Sequence, residues 1–94
     1  MYVKYTKMLH KYIVEFLGTL LLTFIVLATN NYLAIGAALA LAVLFGGPIS
    51  GGAFNPAVAI AFLSSGKIHS NDIVPYIIAE ILGGLTAFKM VKLI

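Results

Sequence analysis

The chain has 94 residues, 62% of them hydrophobic and 10% charged, and its mean hydropathy is +1.07. That balance suits lipid as the surrounding solvent and excludes an ordinary soluble domain. The net charge of +3 is carried by scattered lysines with no arginine, which fits residues flanking a membrane and not a nucleic-acid surface, and with no cysteine there is neither a disulfide framework nor thiol chemistry.

The length allows about three spans of roughly 20 residues plus one shorter apolar piece, so a single membrane domain over 1–94 is expected, with no separate soluble domain. Residues 12–29 are apolar apart from Glu15 and small hydroxyl side chains and form the first span. A basic start followed by an apolar run can imitate a secretory leader, but this run exceeds a leader's core and no small-residue cleavage site follows. Asn30 and Asn31 make a short polar turn, and a second span runs over 32–48, closed by Gly46, Gly47 and Pro48. The Gly51-Gly52 pair then opens backbone conformations that bulkier residues avoid, so the chain re-enters instead of leaving.

Asn55 suits an N-cap and Pro56 the first helical position, where its missing N–H costs nothing. The helix they start can run only to about 63 before Ser64-Ser65-Gly66-Lys67 stops it, a length of about 13 Å or half a bilayer core. Half a span with a polar tip cannot face lipid. Irregular backbone at membrane depth is tolerated only inside protein or along a wet cavity, so the re-entrant piece at 49–63 predicts both a bundle and an aqueous path. The third span covers 73–94, with Asn71 or Asp72 as its cap and Pro75 early enough to be tolerated. Small residues at four-residue spacing, Gly36 and Ala40 in the second span and Ala79, Gly83 and Ala87 in the third, offer faces for close helix contact.

The stretch Ile49-Ser50-Gly51-Gly52-Ala53-Phe54-Asn55-Pro56-Ala57-Val58 carries the chemistry. A half-helix aims its unpaired N–H groups, and roughly half a positive charge, at whatever occupies the membrane centre. With its oxygen held by local backbone donors, an Asn55 carboxamide directed into a lumen would donate from its NH2 to a passing water. The plainer reading is that Asn55 merely caps a short helix at a kink, and the two are compatible.

This stretch resembles the signature loop of the aquaporin, or major intrinsic protein, family. Val14-Glu15-Phe16-Leu17-Gly18-Thr19 resembles the family's first-helix signature, Gly36 a feature of its second helix, and Tyr76-Ile77-Ile78-Ala79-Glu80 its third helix. The resemblance implies an all-α membrane protein of three transmembrane helices plus one re-entrant half-helix, equivalent to one repeat of the aquaporin fold. It also implies passive conduction of water or small neutral solutes such as glycerol where two Asn-Pro-Ala helices meet tip to tip. This chain supplies one tip: Asn55 to orient the permeant, Pro56 and Ala57 to set the half-helix. A whole pore then needs a second copy inserted antiparallel, with four such dimers as the larger assembly, or a complementary half-channel. With the N-terminus inside, Lys4, Lys7, Lys11 and Lys67 fall on the inner side and Lys89 and Lys92 near the outer, a bias weak enough to permit both orientations.

Departures from the family pattern sharpen the expectation. The family's filter arginine falls at Val58, and with Ile35, Val43 and Gly52 at the other filter-facing positions the constriction is aliphatic. Such a passage favours small neutral solutes beside water and lacks one barrier to cations, or else dewets. Glu15 could snorkel to the headgroups beside Lys11, but the resemblance implies that it accepts hydrogen bonds from the re-entrant loop, whose close approach Gly51 permits. Glu80 stands where the family commonly carries glutamine. Phe54 reads as wall packing. His10 and His69 have no partners at metal-ligand spacing, and no nucleophile and base or phosphate loop is present, so no enzyme activity, metal or cofactor is expected. Two other readings remain open at this point: a small dual-topology carrier with Glu15 or Glu80 as its proton site, and a non-conducting subunit or fragment of a full-length channel.

Overall fold

The computed structural model describes residues 2–94, with side chains from Tyr5 onward. Four helices follow one another: α1 (Tyr2–Thr29), α2 (Tyr32–Ser50), α3 (Pro56–Ser64) and α4 (Ile73–Val91), the last preceded by a single 3-10 turn at Ser70–Asp72. There is no strand among the described residues. Three segments are long and apolar enough to cross a membrane, Tyr5–Thr29, Tyr32–Ser50 and Ser70–Val91.

Helix α1 begins ten residues before the apolar run at 12–29 does. Residues 2–11 contain neither Gly nor Pro, and Tyr5, Lys7 and Lys11 can lie at the headgroup level, so apolarity bounds the membrane-embedded part of the helix and not the helix itself. The two asparagines of the following turn do different jobs. Asn30 takes a left-handed conformation (φ 48) and returns its N–H to the Val26 carbonyl at 3.0 Å, while the Asn31 side chain caps α2 by accepting the N–H groups of Leu33 and Ala34, each at 3.0 Å.

Helix α2 continues through Pro48 to Ser50, beyond the stop expected at Pro48. A proline this near the C-terminus removes one ladder bond in the last turn only, and Gly51 (φ 91) then ends the helix with its N–H on the Gly47 carbonyl at 2.8 Å. Helix α3 ends in a full Schellman motif. Gly66 (φ 80) donates to the Leu63 carbonyl at 3.1 Å and Lys67 to the Phe62 carbonyl at 2.8 Å. Helix α4 stops at Val91, short of 94. Asp72 occupies its N-cap position without a side-chain capping bond, because its carboxylate takes Lys11 Nζ at 3.2 Å and the Tyr12 hydroxyl at 2.8 Å instead. Asn71 lies in the 3-10 turn, where its N–H donates to Nδ1 of His69 at 3.3 Å.

The small residues of α4 seat it against α1. Ala79, Gly83 and Ala87 are buried, and a Cβ added at Gly83 would stand 2.5 Å from the Phe16 carbonyl oxygen. The Gly36–Ala40 face of α2 has no such role within the chain: both residues are exposed, and nothing lies within 4 Å of a Cβ built on Gly36. The buried line of α2 is Ala38, Ala42, Gly46 and Ser50, the same four-residue spacing shifted by two. Ala53, Ala59 and Tyr76 form the closed core, with Tyr12 meeting Tyr76 edge-on at a centroid distance of 6.0 Å.

Candidate functional site

The site is built on the five residues between α2 and α3. Gly51 (φ 91) and Gly52 (φ 74) turn the chain back, and a Cβ added at Gly52 would lie 3.4 Å from the Gly47 Cα, so the turn folds tightly onto the helix it has just left. Phe54 follows in a left-handed conformation (φ 55) that a non-glycine residue adopts only when its surroundings compel it.

Those surroundings centre on Glu15, fully buried in the middle of α1. Its Oε1 accepts the Phe54 N–H at 2.8 Å, and its Oε2 accepts the Ala53 N–H at 3.2 Å and the Ser50 hydroxyl at 2.6 Å. The Ser50 oxygen in turn accepts the Gly52 N–H at 3.2 Å, and the Ser50 carbonyl accepts the Tyr76 hydroxyl at 2.6 Å. One carboxyl group thus gathers the donors of a buried loop that has no ladder of its own, and one tyrosine ties that loop to α4. Lys11, one turn before Glu15, is engaged with Asp72.

The Phe54 ring completes the clamp. It is 2% exposed and fills a notch between Gly18 of α1 and Gly46 of α2, where added Cβ atoms would run into it. The expected wall packing is therefore a wedge between two helices.

With the loop backbone turned toward Glu15, Asn55 is left exposed at the tip of α3. Its Oδ1 accepts the Ala57 N–H at 2.7 Å, and Pro56 occupies the first turn. The carboxamide NH2 donates to no group among the described residues. The oxygen is committed to the helix and the donor half is available, beside first-turn N–H groups that carry the positive end of the helix dipole. Ala57 and Val58 are exposed next to it.

Val43 and Gly52 adjoin one another: a Cβ on Gly52 would lie 3.6 Å from the Val43 Cγ2. Ile35 stands eight residues before Val43 on the same helix, about 12 Å along its axis, and Val58 belongs to α3. A cavity of about 380 Å³ opens beside the tip, lined among others by Thr19, Thr23, Phe54, Asn55, Pro56 and Glu80. No group of three or more His, Asp or Glu side chains converges on a metal-sized site among the described residues.

A family model described as major intrinsic protein matches residues 2–94. The chain belongs to the major intrinsic protein family. It is 46% identical over 94 aligned positions to glycerol uptake facilitator protein-like 6 of Lactiplantibacillus plantarum, covering 89% of this chain and 43% of that protein. Against aquaporin Z of Brucella melitensis the identity is 36%, covering 93% of this chain and 45% of the relative. Aquaglyceroporin AqpS of Rhizobium meliloti is 38% identical over 67% of this chain and 27% of its own length. No solved structure matches. The chain spans less than half the length of these relatives. Family membership and three apolar helices make it an integral, multi-pass membrane protein, with the all-α architecture of one aquaporin repeat. Members of the family are passive channels and not enzymes.

Three contributors to the site carried no role in the sequence reading: Ser50, Tyr76 and Gly18. Each had a local signal. A tyrosine hydroxyl inside an apolar span needs an acceptor, and a serine just before a glycine turn can serve the turn's N–H groups. Gly18, mid-helix, marks a place where something approaches closely.

Proposed function

We propose that the chain is one half of a passive pore for water or small neutral solutes of the glycerol class. A second copy inserted in the opposite orientation completes it, and four such pairs form the larger assembly; a complementary half-channel could fill the same place. The observation that carries this reading is the state of Asn55, exposed at the α3 tip with its oxygen spent on the Ala57 N–H and its NH2 available. A permeant oxygen can accept from that group, whereas a cation meets the positive end of α3. Pro56 and Ala57 hold the tip, and Gly51 lets the loop reach it.

Two features support completion by another chain. The Gly36–Ala40 face of α2 is open and small enough for close helix approach, and Val43 and Val58 stand exposed. The relatives' names speak of glycerol uptake, aquaporins and an aquaglyceroporin, which agrees with a neutral permeant. Of the two acids that a carrier reading would use, Glu15 is committed to three loop donors, and this favours a channel.

Asn55→Asp tests the tip directly. A carboxylate there lowers the barrier that the half-helix raises against cations, so monovalent-cation conductance of the purified chain in planar bilayers is expected to rise about tenfold, the equivalent of about 1.4 kcal/mol. Conductance equal to the parent chain would remove Asn55 from the lumen.

A further inference from the structure

Glu80 is a buried carboxyl that neither the loop nor the tip uses. It sits in the middle of α4, 1% exposed, and neither of its oxygens has a hydrogen-bonding partner among the described residues. It lies on α4 between Tyr76, whose hydroxyl bonds the Ser50 carbonyl beside Glu15, and Gly83, which packs against Phe16 and Thr19 of α1, so it is set against the Glu15 stretch of α1 and lines a cavity with Thr19 and Asn55. Glu15 accepts from Ser50, Ala53 and Phe54, so its oxygens are occupied by donors and it is the member of the pair equipped to be a carboxylate. Glu80 has nothing of the kind. Tyr76, one turn earlier on α4, donates its hydroxyl to the Ser50 carbonyl, and the buried Thr19 hydroxyl on α1 is itself without a bond. The only ion pair among the described residues joins Lys11 to Asp72.

A second bare carboxylate against the first, at membrane depth, combines desolvation with like-charge repulsion and is among the most costly arrangements a helix bundle can hold. Something must neutralise it. The two Glu80 oxygens are closed off within the protein, although the residue borders the cavity beside Asn55, so neither a water nor a metal cation can touch them where they stand. A proton needs no such room, and Glu80 carrying one acquires the donor that the neighbouring Glu15 carboxylate can accept.

We propose that Glu80 and Glu15 form a buried proton-binding site behind the re-entrant loop, holding a single proton between them with Glu80 as the acid and Glu15 as the carboxylate. Glu80 is thereby a positioning residue: its O–H adds a donor to the group that holds Ala53 and Phe54, and so steadies the Asn55 tip from behind. This proton site is independent of the pore reading, which can fail without affecting it.

Infrared spectroscopy of the full chain in lipid at neutral pH tests this. The expected spectrum contains a carboxylic-acid C=O band equivalent to one group, which shifts when glutamate is carboxyl-labelled with carbon-13 and is missing from Glu80→Gln. Gln has the same shape and length, and an unchanged helical amide band establishes that the variant is folded. Labelling of the parent chain needs no substitution and separates glutamate from Asp72 and the terminal carboxyl. No label-shifted acid band at neutral pH, or one that persists in folded Glu80→Gln, would overturn the proposal.

Discussion

Glu15→Ala detaches the re-entrant loop, with an expected loss of about 3 kcal/mol in the stability of the folded chain, because three buried donors lose their acceptor together and each costs about 1–3 kcal/mol before relaxation. Those donors are the Ser50 hydroxyl and the N–H groups of Ala53 and Phe54. Lipid offers them no substitute, which is why the loss is larger than for an equivalent surface group. Glu15→Gln retains one carbonyl oxygen and should forfeit about half as much. Hydrogen exchange resolves the effect by residue: the amides of Ala53 and Phe54 are expected to exchange much faster in Glu15→Ala, with amides in the middle of α1 far less affected. Unaltered protection at Ala53 and Phe54 would show that the carboxyl does not hold the loop.

Gly18→Ala is expected to cost about 2 kcal/mol, within the range for adding a methyl to a packed site. The added Cβ would run into the Phe54 ring, and the ring has no easy retreat. Its backbone is held by the 2.8 Å bond to Glu15 in a left-handed conformation, and Gly46 closes the far side, where an added Cβ would lie 2.9 Å from the ring's Cζ. Either the wedge leaves its notch, carrying the loop with it, or α1 and α2 separate. Strong coupling between Gly18 and Phe54 is expected. Phe54→Leu in the same chain should recover most of the lost stability, whereas additive effects of the two substitutions, measured by thermal unfolding in detergent, would show that ring and notch are independent.

What could be read from the sequence was what local chemistry decides. Asn55 and Pro56 form a start signal complete within two residues, and Gly66 a stop signal within four of the helix end, so α3 at Pro56–Ser64 differs by one residue from the span expected. Helix ends set by longer-range forces were harder to read. The lysine-bearing residues before 12 are helical because nothing breaks them, not because they are apolar, and Pro48 sits too close to the end of α2 to terminate it.

Contacts between distant segments lay outside what spacing can show. Glu15 is separated from its loop acceptances by 35 to 39 residues, and only the family resemblance pointed it there. The pairing of Lys11 with Asp72, 61 residues away, and the Phe54 wedge had no signal strong enough to find them beforehand. In α2 the four-residue repeat of small residues exists in two registers, 36–40 and 38–42–46, and composition alone does not say which faces α1.

If this chain assembles its own pore, vesicles that carry it alone respond to an osmotic step faster than lipid does. The purified chain alone is reconstituted into liposomes and stopped-flow light scattering follows an osmotic step, beside empty vesicles and vesicles carrying Asn55→Asp. Shrinkage at least several times faster than in empty vesicles, altered by the Asn55 substitution, is the predicted result. A rate equal to that of empty vesicles, from chain verified as folded and inserted, would contradict the claim.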